Sequence, residues 1–381
     1  LAHFFNFSTT TANDWWARRS FLHGWWRQSA RDRRWVPPDF QTLHMAVVSR
    51  RAPHLQRMSP VLLTVNAVQR GSGGGGMADG MLPAVAGEVR VGQAMLLRDG
   101  RCQLAHGALL EVANDEEALE RLLYALAEQA AEAAMAGVTL GAGLVPAFPE
   151  GILLDNYHVD PPLHGAYNAP FLPDLLAEQA EPLFHRRLWS LSLEKSLRDA
   201  VGPAGAAGVT IEPASPQLLE GELLRLVEEL WSSSAACAAD FVAPDVLEVS
   251  FLLALWQVAP LTLLVARRAE RAVGFCLLQP DVGPQLRRLR GGRPLWARAW
   301  LALQPLQRAR SGRLLLGGVA PDTTGQGVGG ALWRSALAHA RASGWQSLTI
   351  GPVDEGAPVE AFLAAQGATP HHRSVVFLYG G

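Results

Sequence analysis

The sequence predicts an α+β chain of two similar halves, and three observations carry that prediction. Strands that first form hairpins later alternate with helices, the order that builds mixed sheets. The series of elements recurs roughly two hundred residues along the chain. A connector without apolar period, DAVGPAGAAG at Asp199–Gly208, separates the copies. At 381 residues the chain exceeds one typical domain, and we divide it at 1–200 and 201–381.

The first copy runs GVTLGAG, NAPFLPDLLAEQ and HRRLWSLSL; the second runs SLTIGPV, GAPVEAFLAAQGA and HRSVVFLY. Each is a short β-branched strand, a polar loop, a one-sided helix and a final apolar strand. A longer helix precedes each copy: DEEALERLLYALAEQAAEAAMAG in the first half, GVGGALWRSALAHARASG in the second. Four elements in the same order point to duplication rather than to a coincidence of apolar pattern.

The rest of the second half reads as a strand (VTIEP), a helix (QLLEGELLRLVEELWSS) and a helix around PDVLEVSFLLALWQV. A hairpin, LTLLVARRAERAVGFCLLQ, turns near Ala269–Arg271. An arginine-rich insert, Asp281–Gly312, precedes the strand RLLLGGVAP. The insert mixes Trp296, Trp300 and leucines with Arg287, Arg288, Arg290, Arg293 and Arg298, a composition suited to packing on the sheet with a solvated cationic face. The uncharged run Val249–Ala266 is divided by Gln257 and Pro260, so we read a buried helix end and a strand, and no stable membrane insertion is expected. Trp15, Trp16, Trp25, Trp26 and Trp35 are expected to pack against the first half. GSGGGG at Gly71–Gly76 reads as a mobile loop.

Composition excludes several functions. With 18% charged residues and a net charge of -2 the chain lacks the basic excess of a nucleic-acid binder. Cys102, Cys237 and Cys276 show no CxxC spacing, which argues against a disulfide framework or a thiolate metal site and suits a reducing cytoplasm. The aromatic start lacks the basic and apolar regions of a signal peptide. No pair of histidines at ligand spacing suggests a metal.

One junction carries chemistry. TGQGVGG, Thr324–Gly330, holds four glycines in seven residues between a strand and a helix. In that helix Leu332, Ala336, Leu337 and Ala340 follow one buried face, Arg334, His339 and Arg341 fall toward solvent, and Gly344 ends it. A strand that feeds a glycine turn and a helix start presents free N–H groups and a positive dipole end to an anion. Each amide bond to a charged oxygen contributes about 1.5–3 kcal/mol, so several hold a pyrophosphate without lysine. Gly325, Gly327 and Gly330 match the dinucleotide fingerprint literally, but a dinucleotide fold places that fingerprint after its first strand. Here the motif comes too late in the chain.

The stretch VAPDTTGQGVGGALW resembles the GNAT acyltransferase superfamily, where a late strand, a glycine turn and a helix grip the pyrophosphate of acetyl-CoA. WVPP at Trp35–Pro38 and YNAPFLPDLLAEQ at Tyr167–Gln179 are similar to segments of two-lobed GNAT proteins. The resemblance implies tandem GNAT-like lobes, each a mixed, mostly antiparallel sheet flanked by helices, with residues 1–200 a degenerate lobe and 201–381 the acyltransferase. It further implies that Val319, Gly325, Gln326, Gly327, Val328, Gly329 and Gly330 bind acetyl-CoA. Thr324 stands where the family pattern has Gln or Arg.

The implied reaction is acyl transfer from the thioester to a small-molecule or peptide amine, in a cleft between splayed parallel strands, RLLLGGV and LTIGPV. An alkylamine of pKa about 10.4 is neutral about once in 2,500 molecules at pH 7, so a base has much to supply. Asp354 and Glu355, after the second of those strands, are the expected bases. His371 and His372 are expected in a surface turn before the last strand. The family's acid tyrosine has no counterpart, since Phe362 occupies its place and Tyr379 is expected to pack. A CoA-binding or scaffold protein without catalysis is the alternative these departures suggest. The first half reads GALLEVANDEEALERLL at the matching junction, where Asn114 or Asp115 can cap the helix and acidic residues crowd its first turn. It is therefore expected to bind no CoA.

Overall fold

The computed structural model describes residues 5–11, 14–69, 83–84, 88–194, 208–239, 241–292, 296 and 309–380. The GSGGGG stretch, nearly all of the connector and much of the arginine-rich insert, including Arg293, Arg298 and Trp300, lie outside them.

In the first half the elements are β1 (Phe5–Thr11), α1 (Trp15–Ser29), α2 (Phe40–Leu43), α3 (Pro53–Arg57), β2 (Val61–Gln69), β3 (Pro83–Ala84), β4 (Glu88–Leu97), β5 (Leu104–Val112), α4 (Glu116–Ala131), β6 (Gly137–Leu140), β7 (Ile152–Leu153), α5 (Leu172–Ala177) and β8 (Glu181–Ser192). The second half contains β9 (Val209–Ala214), α6 (Leu224–Trp231), α7 (Ala235–Ala238), α8 (Val246–Trp256), β10 (Thr262–Arg268), β11 (Arg271–Pro280), α9 (Gly283–Arg288), β12 (Ser311–Val319), α10 (Val328–Ala342), β13 (Ser347–Asp354), α11 (Pro358–Ala365) and β14 (Thr369–Tyr379). The repeat read from the sequence is present element for element: α4, β6, α5 and β8 answer to α10, β13, α11 and β14.

Local chemistry explains most boundaries. Asp115 caps α4 through the amide of Ala118 at 2.9 Å, and Leu119, Leu122, Leu123 and Leu126 bury one face of that helix. Asp245 and Glu248 form a capping box at the start of α8. That helix is apolar on all sides because it is buried between the halves; its Phe251 ring lies 4.4 Å from His54 of the first half. Among the described residues no helix is long and apolar enough to cross a membrane. The single helix expected over Gln217–Ser233 is broken: a 3-10 turn at Pro216–Glu220 ends at Gly221, whose φ of -134° and ψ of -103° are not helical, and α6 starts after it. Trp25, Trp26 and Trp35 pack edge-to-face as expected, with Trp26–Trp35 centroids 5.0 Å apart. Trp15 and Trp16 meet edge-on as well, but with each other, centroids 4.6 Å apart, and Trp16 is 73% exposed.

All described strands join one sheet, in the order β1-β2-β4-β5-β6-β14-β8-β13-β12-β11-β10-β9, with β3 on β4 and β7 on β14. Among the described strands only β5 with β6 and β12 with β13 pair in parallel. The last strand of each half lies against the parallel strand of the other: β8 pairs with β13, β14 with β6, and β8 with β14 in the centre. Trp189 and Leu191 of β8 accordingly sit in the core around α10, while Val375 and Phe377 of β14 sit in the core around α4. β14 begins at Thr369, so His371 and His372 are strand residues, and His372 is buried at 3% exposure instead of lying in a surface turn.

Phe377→Ala should therefore destabilise the core of the first half by about 3–5 kcal/mol although the residue belongs to the second half in sequence. Urea unfolding followed by tryptophan fluorescence should show one transition, moved to lower denaturant, with no separate loss of the second half.

Candidate functional site

The glycine turn has the geometry its composition suggests. After β12 a 3-10 turn at Pro321–Thr323 leads into Gly325 and Gly327, whose φ values of +78° and +83° belong to the left-handed region that side chains disfavour. Gly327 is the N-cap of α10, and the first bond of that helix runs from the Ala331 amide to the Gly327 carbonyl at 3.0 Å. The amides of Val328, Gly329 and Gly330 precede that ladder and lie at the positive end of the helix. Gln326 differs from them. Its amide bonds the Thr323 carbonyl at 3.2 Å and its side chain donates to the Asp322 carbonyl at 2.9 Å, so it closes the turn. Asp322, an exposed carboxylate near the turn, is paired with Arg271 at 2.6 Å.

Arg334 completes this corner. It stands one helical turn beyond Gly330, and its Nη1 lies 3.7 Å from where a Cβ on Gly330 would be. That nitrogen is buried and has no hydrogen-bond partner among the described residues. The apolar period assigns Arg334 to solvent. The i, i+4 spacing from Gly330 was the signal that it covers the helix start instead.

The cleft opens where β12 and β13 part. Their parallel pairing ends at Leu314 and Ile350. The Ala320 amide bonds Val273 of β11, so by strand alternation the Val319 amide points away from β11, toward the β13 side. On that side Leu315, Leu316 and Pro352 line a cavity together with Phe148, Glu150, Leu153 and His164 of the first half.

Arg313 and Arg186 hold the polar end of this cavity. Arg313 is 3% exposed, and its guanidinium donates to the carbonyls of Leu163 and Gly351, the latter at 3.0 Å. Burial pulls it down to about 10. Arg186 donates to Asp354 at 3.0 Å and to the carbonyls of Pro149 and Pro352. The other oxygen of Asp354 accepts the Ala235 amide at 2.7 Å. Glu355 is taken by Arg187 at 2.6 Å and Arg373 at 2.9 Å. The oxygens of the two expected bases are thus committed, those of Glu355 to ion pairs and those of Asp354 to an ion pair and an amide.

Two further expectations can be placed. Phe362 lies edge-on to Trp333, centroids 5.7 Å apart, and Tyr379 packs against the core of the first half. Asn168, from the YNAP segment, accepts the Leu153 amide at 2.6 Å and pins the loop that carries β7. Among the described residues no cluster of His, Cys, Asp or Glu could hold a metal ion.

Asp354→Ala would leave the half-buried Arg186 without its carboxylate. The expected cost is about 3 kcal/mol in urea unfolding, against about 1 kcal/mol or less for Glu355→Ala, whose pairs are more exposed.

No family model matches the chain, and no curated protein does. Solved structures do. A tandem GNAT protein from the clavulanic acid biosynthesis pathway is 14% identical, with 99% of this chain and 98% of that one covered and a TM-score of 0.57. A probable N-acyltransferase of Enterococcus faecalis V583 is 9% identical over 98% of this chain and 72% of its own, TM-score 0.56. A GCN5-related N-acetyltransferase from Kribbella flavida is 13% identical over 98% and 71%, TM-score 0.52. The chain has the GNAT fold in its tandem form.

Proposed function

We propose that the chain is an acyl-CoA-dependent N-acyltransferase, acetyl-CoA being the donor and an amine the acceptor, with one working site in residues 201–381. The observation that carries this reading is the turn Gly325–Gly330 at the start of α10, directly beside the splayed strands β12 and β13. Its left-handed glycines turn amides outward where a pyrophosphate needs donors. The unpartnered Nη1 of Arg334 adds a charge of the right sign. The Val319 amide, on the cleft side of β12, then serves as donor to the thioester carbonyl as charge develops on its oxygen. A thiol of pKa about 8.5 leaves as thiolate without strong acid assistance, so Phe362 in place of a tyrosine does not forbid turnover. The separate, unpaired cysteines suit work in a reducing compartment such as the cytoplasm.

Residues 1–200 act as the wall of that site and bind no CoA of their own. At the matching junction Asp115 occupies the cap, and Glu116 and Glu117 fill the first turn of α4. These carboxylates oppose a phosphate at the positive end of the helix. A cavity of about 380 Å³ beside Asn114, lined by Arg27, Arg31, Arg90 and Glu111, favours the contrary reading that this half also takes an anion. Stoichiometry decides between them.

Calorimetric titration with CoA should give one site per chain, and two sites would move the first half from wall to second enzyme. Gly327→Glu, which brings bulk and a like charge to the turn, should abolish that binding. Arg334→Ala should weaken it about tenfold, the value of one charge-assisted hydrogen bond. If CoA binds and no amine provokes thiol release, the chain is a CoA-binding scaffold instead.

A further inference from the structure

Glu150 is the carboxylate of the cleft that neither motif nor spacing singled out. It ends the loop between β6 and β7, and it lines two cavities at once: the one walled by Leu315, Leu316 and Pro352 at the β12/β13 splay, and the one walled by Leu109, Gly141 and Ile152 at the β5/β6 splay. The loop is fastened on both sides. The Gly151 amide bonds the Gly141 carbonyl at 2.8 Å, Ser374 of β14 donates to the Glu150 carbonyl at 3.0 Å, and Arg186 of β8 donates to the Pro149 carbonyl. The side chain is not fastened. Among the described residues no hydrogen bond and no ion pair within 4.0 Å reaches its carboxylate, in contrast to Asp354 and Glu355.

We propose that Glu150, supplied by the first half, is the proton acceptor of the transfer site in the second half, and that this site takes a monoamine on an apolar body. The proposal rests on the acyltransferase reading. The surroundings support it. Phe148, Leu188, Leu252 and Trp256 make the cavity walls apolar, which suits the body of the acceptor. The Glu150 side chain is solvent-exposed within the cavity; the protein around it raises its carboxyl toward about 6, water in the cavity weakens that rise, and the charge of Arg313 opposes it. Arg186 is already matched by Asp354. His164 is held neutral, its value pulled down to about 3 by burial, and burial lowers His372 as well. At neutral pH the cavity therefore holds an ionised carboxylate, a buried guanidinium and neutral imidazoles. The guanidinium lowers the basicity of an amine bound beside it and repels a second positive charge.

In the step itself the acceptor ammonium gives one proton to the Glu150 carboxylate. The freed nitrogen lone pair forms the N–C bond at the thioester carbonyl. When the C–S bond breaks, its electron pair leaves on sulfur, and the proton remaining in excess on nitrogen passes to that thiolate. Glu150 then returns its proton to solvent. Amide and free CoA thiol are the products, and no other reactant is required.

The test is acceptor-dependent thiol release from acetyl-CoA, with aryl and alkyl monoamines set against polyamines, from about pH 5 to about pH 9. Wild type should prefer the monoamines, with kcat/KM rising as pH passes about 6 and Glu150 ionises. Glu150→Gln should lose about 100-fold or more in kcat and the acidic limb with it, Glu150→Asp should recover part of the rate, and both should keep CoA affinity within about twofold. An active wild type whose Glu150→Gln variant retains its rate and its acidic limb overturns the role of Glu150 and leaves the acyltransferase standing. Loss of CoA affinity together with rate makes Glu150 structural, which also overturns it. Preference for polyamines overturns the acceptor class. A wild type that binds CoA and releases no thiol overturns this proposal and the acyltransferase reading together.

Discussion

The pairing of β8 with β14 is the constraint on which the rest of the molecule depends. Their register runs from Thr369 opposite Ser190 to Leu378 opposite Glu181, and each strand has its other edge on the parallel strand of the half it does not follow in sequence. Unpaired backbone in a buried sheet is costly, so neither half can withdraw its last strand without exposing both edges of the gap. The two cores are thereby tied to one backbone ladder. The ionic cluster between α3 and α8, where Arg57 and Arg101 meet Asp99, Asp245 and Glu248, closes the same contact at the helical layer.

The cleft inherits its shape from that pairing. On its other edge β13 pairs antiparallel with β8, with a register shift between Ile350 and Val353, and β12 and β13 diverge after Leu314 and Ile350. Arg186 and Arg187 are neighbours on β8, yet they clasp different things: the first holds Asp354 and two carbonyls in the cleft wall, the second holds Glu355 and Glu360 at the start of α11. Because β14 also anchors the loop of Glu150, the polar end of the cleft is assembled from three stretches that are far apart in sequence.

What could be read from the sequence was what is encoded locally. The glycine turn, the buried face of α10, the cap at Asp115 and the repeated order of elements all depend on residues within a few turns of one another, and each is present. The exchange of β8 and β14 was not legible, because an apolar strand such as HRSVVFLY states that it will be buried and not beside which partner. The same gap hid the setting of His372 and the commitment of Asp354. A carboxylate after a strand looks available until the arginine of another strand is brought to it. Glu150 stayed hidden for the opposite reason, since a lone glutamate in a loop carries no pattern, and only its position across two cavities distinguishes it.

The exchange also fixes an order of events during synthesis. β6, the strand that β14 covers, leaves the ribosome long before β14. Until then the apolar edge of the first half is open to any other strand, its own neighbour β8 included, and such edges are where nascent chains associate wrongly. The first half has to wait in an unfinished state, and its short, four-residue β6 presents as little edge as a strand can while it waits.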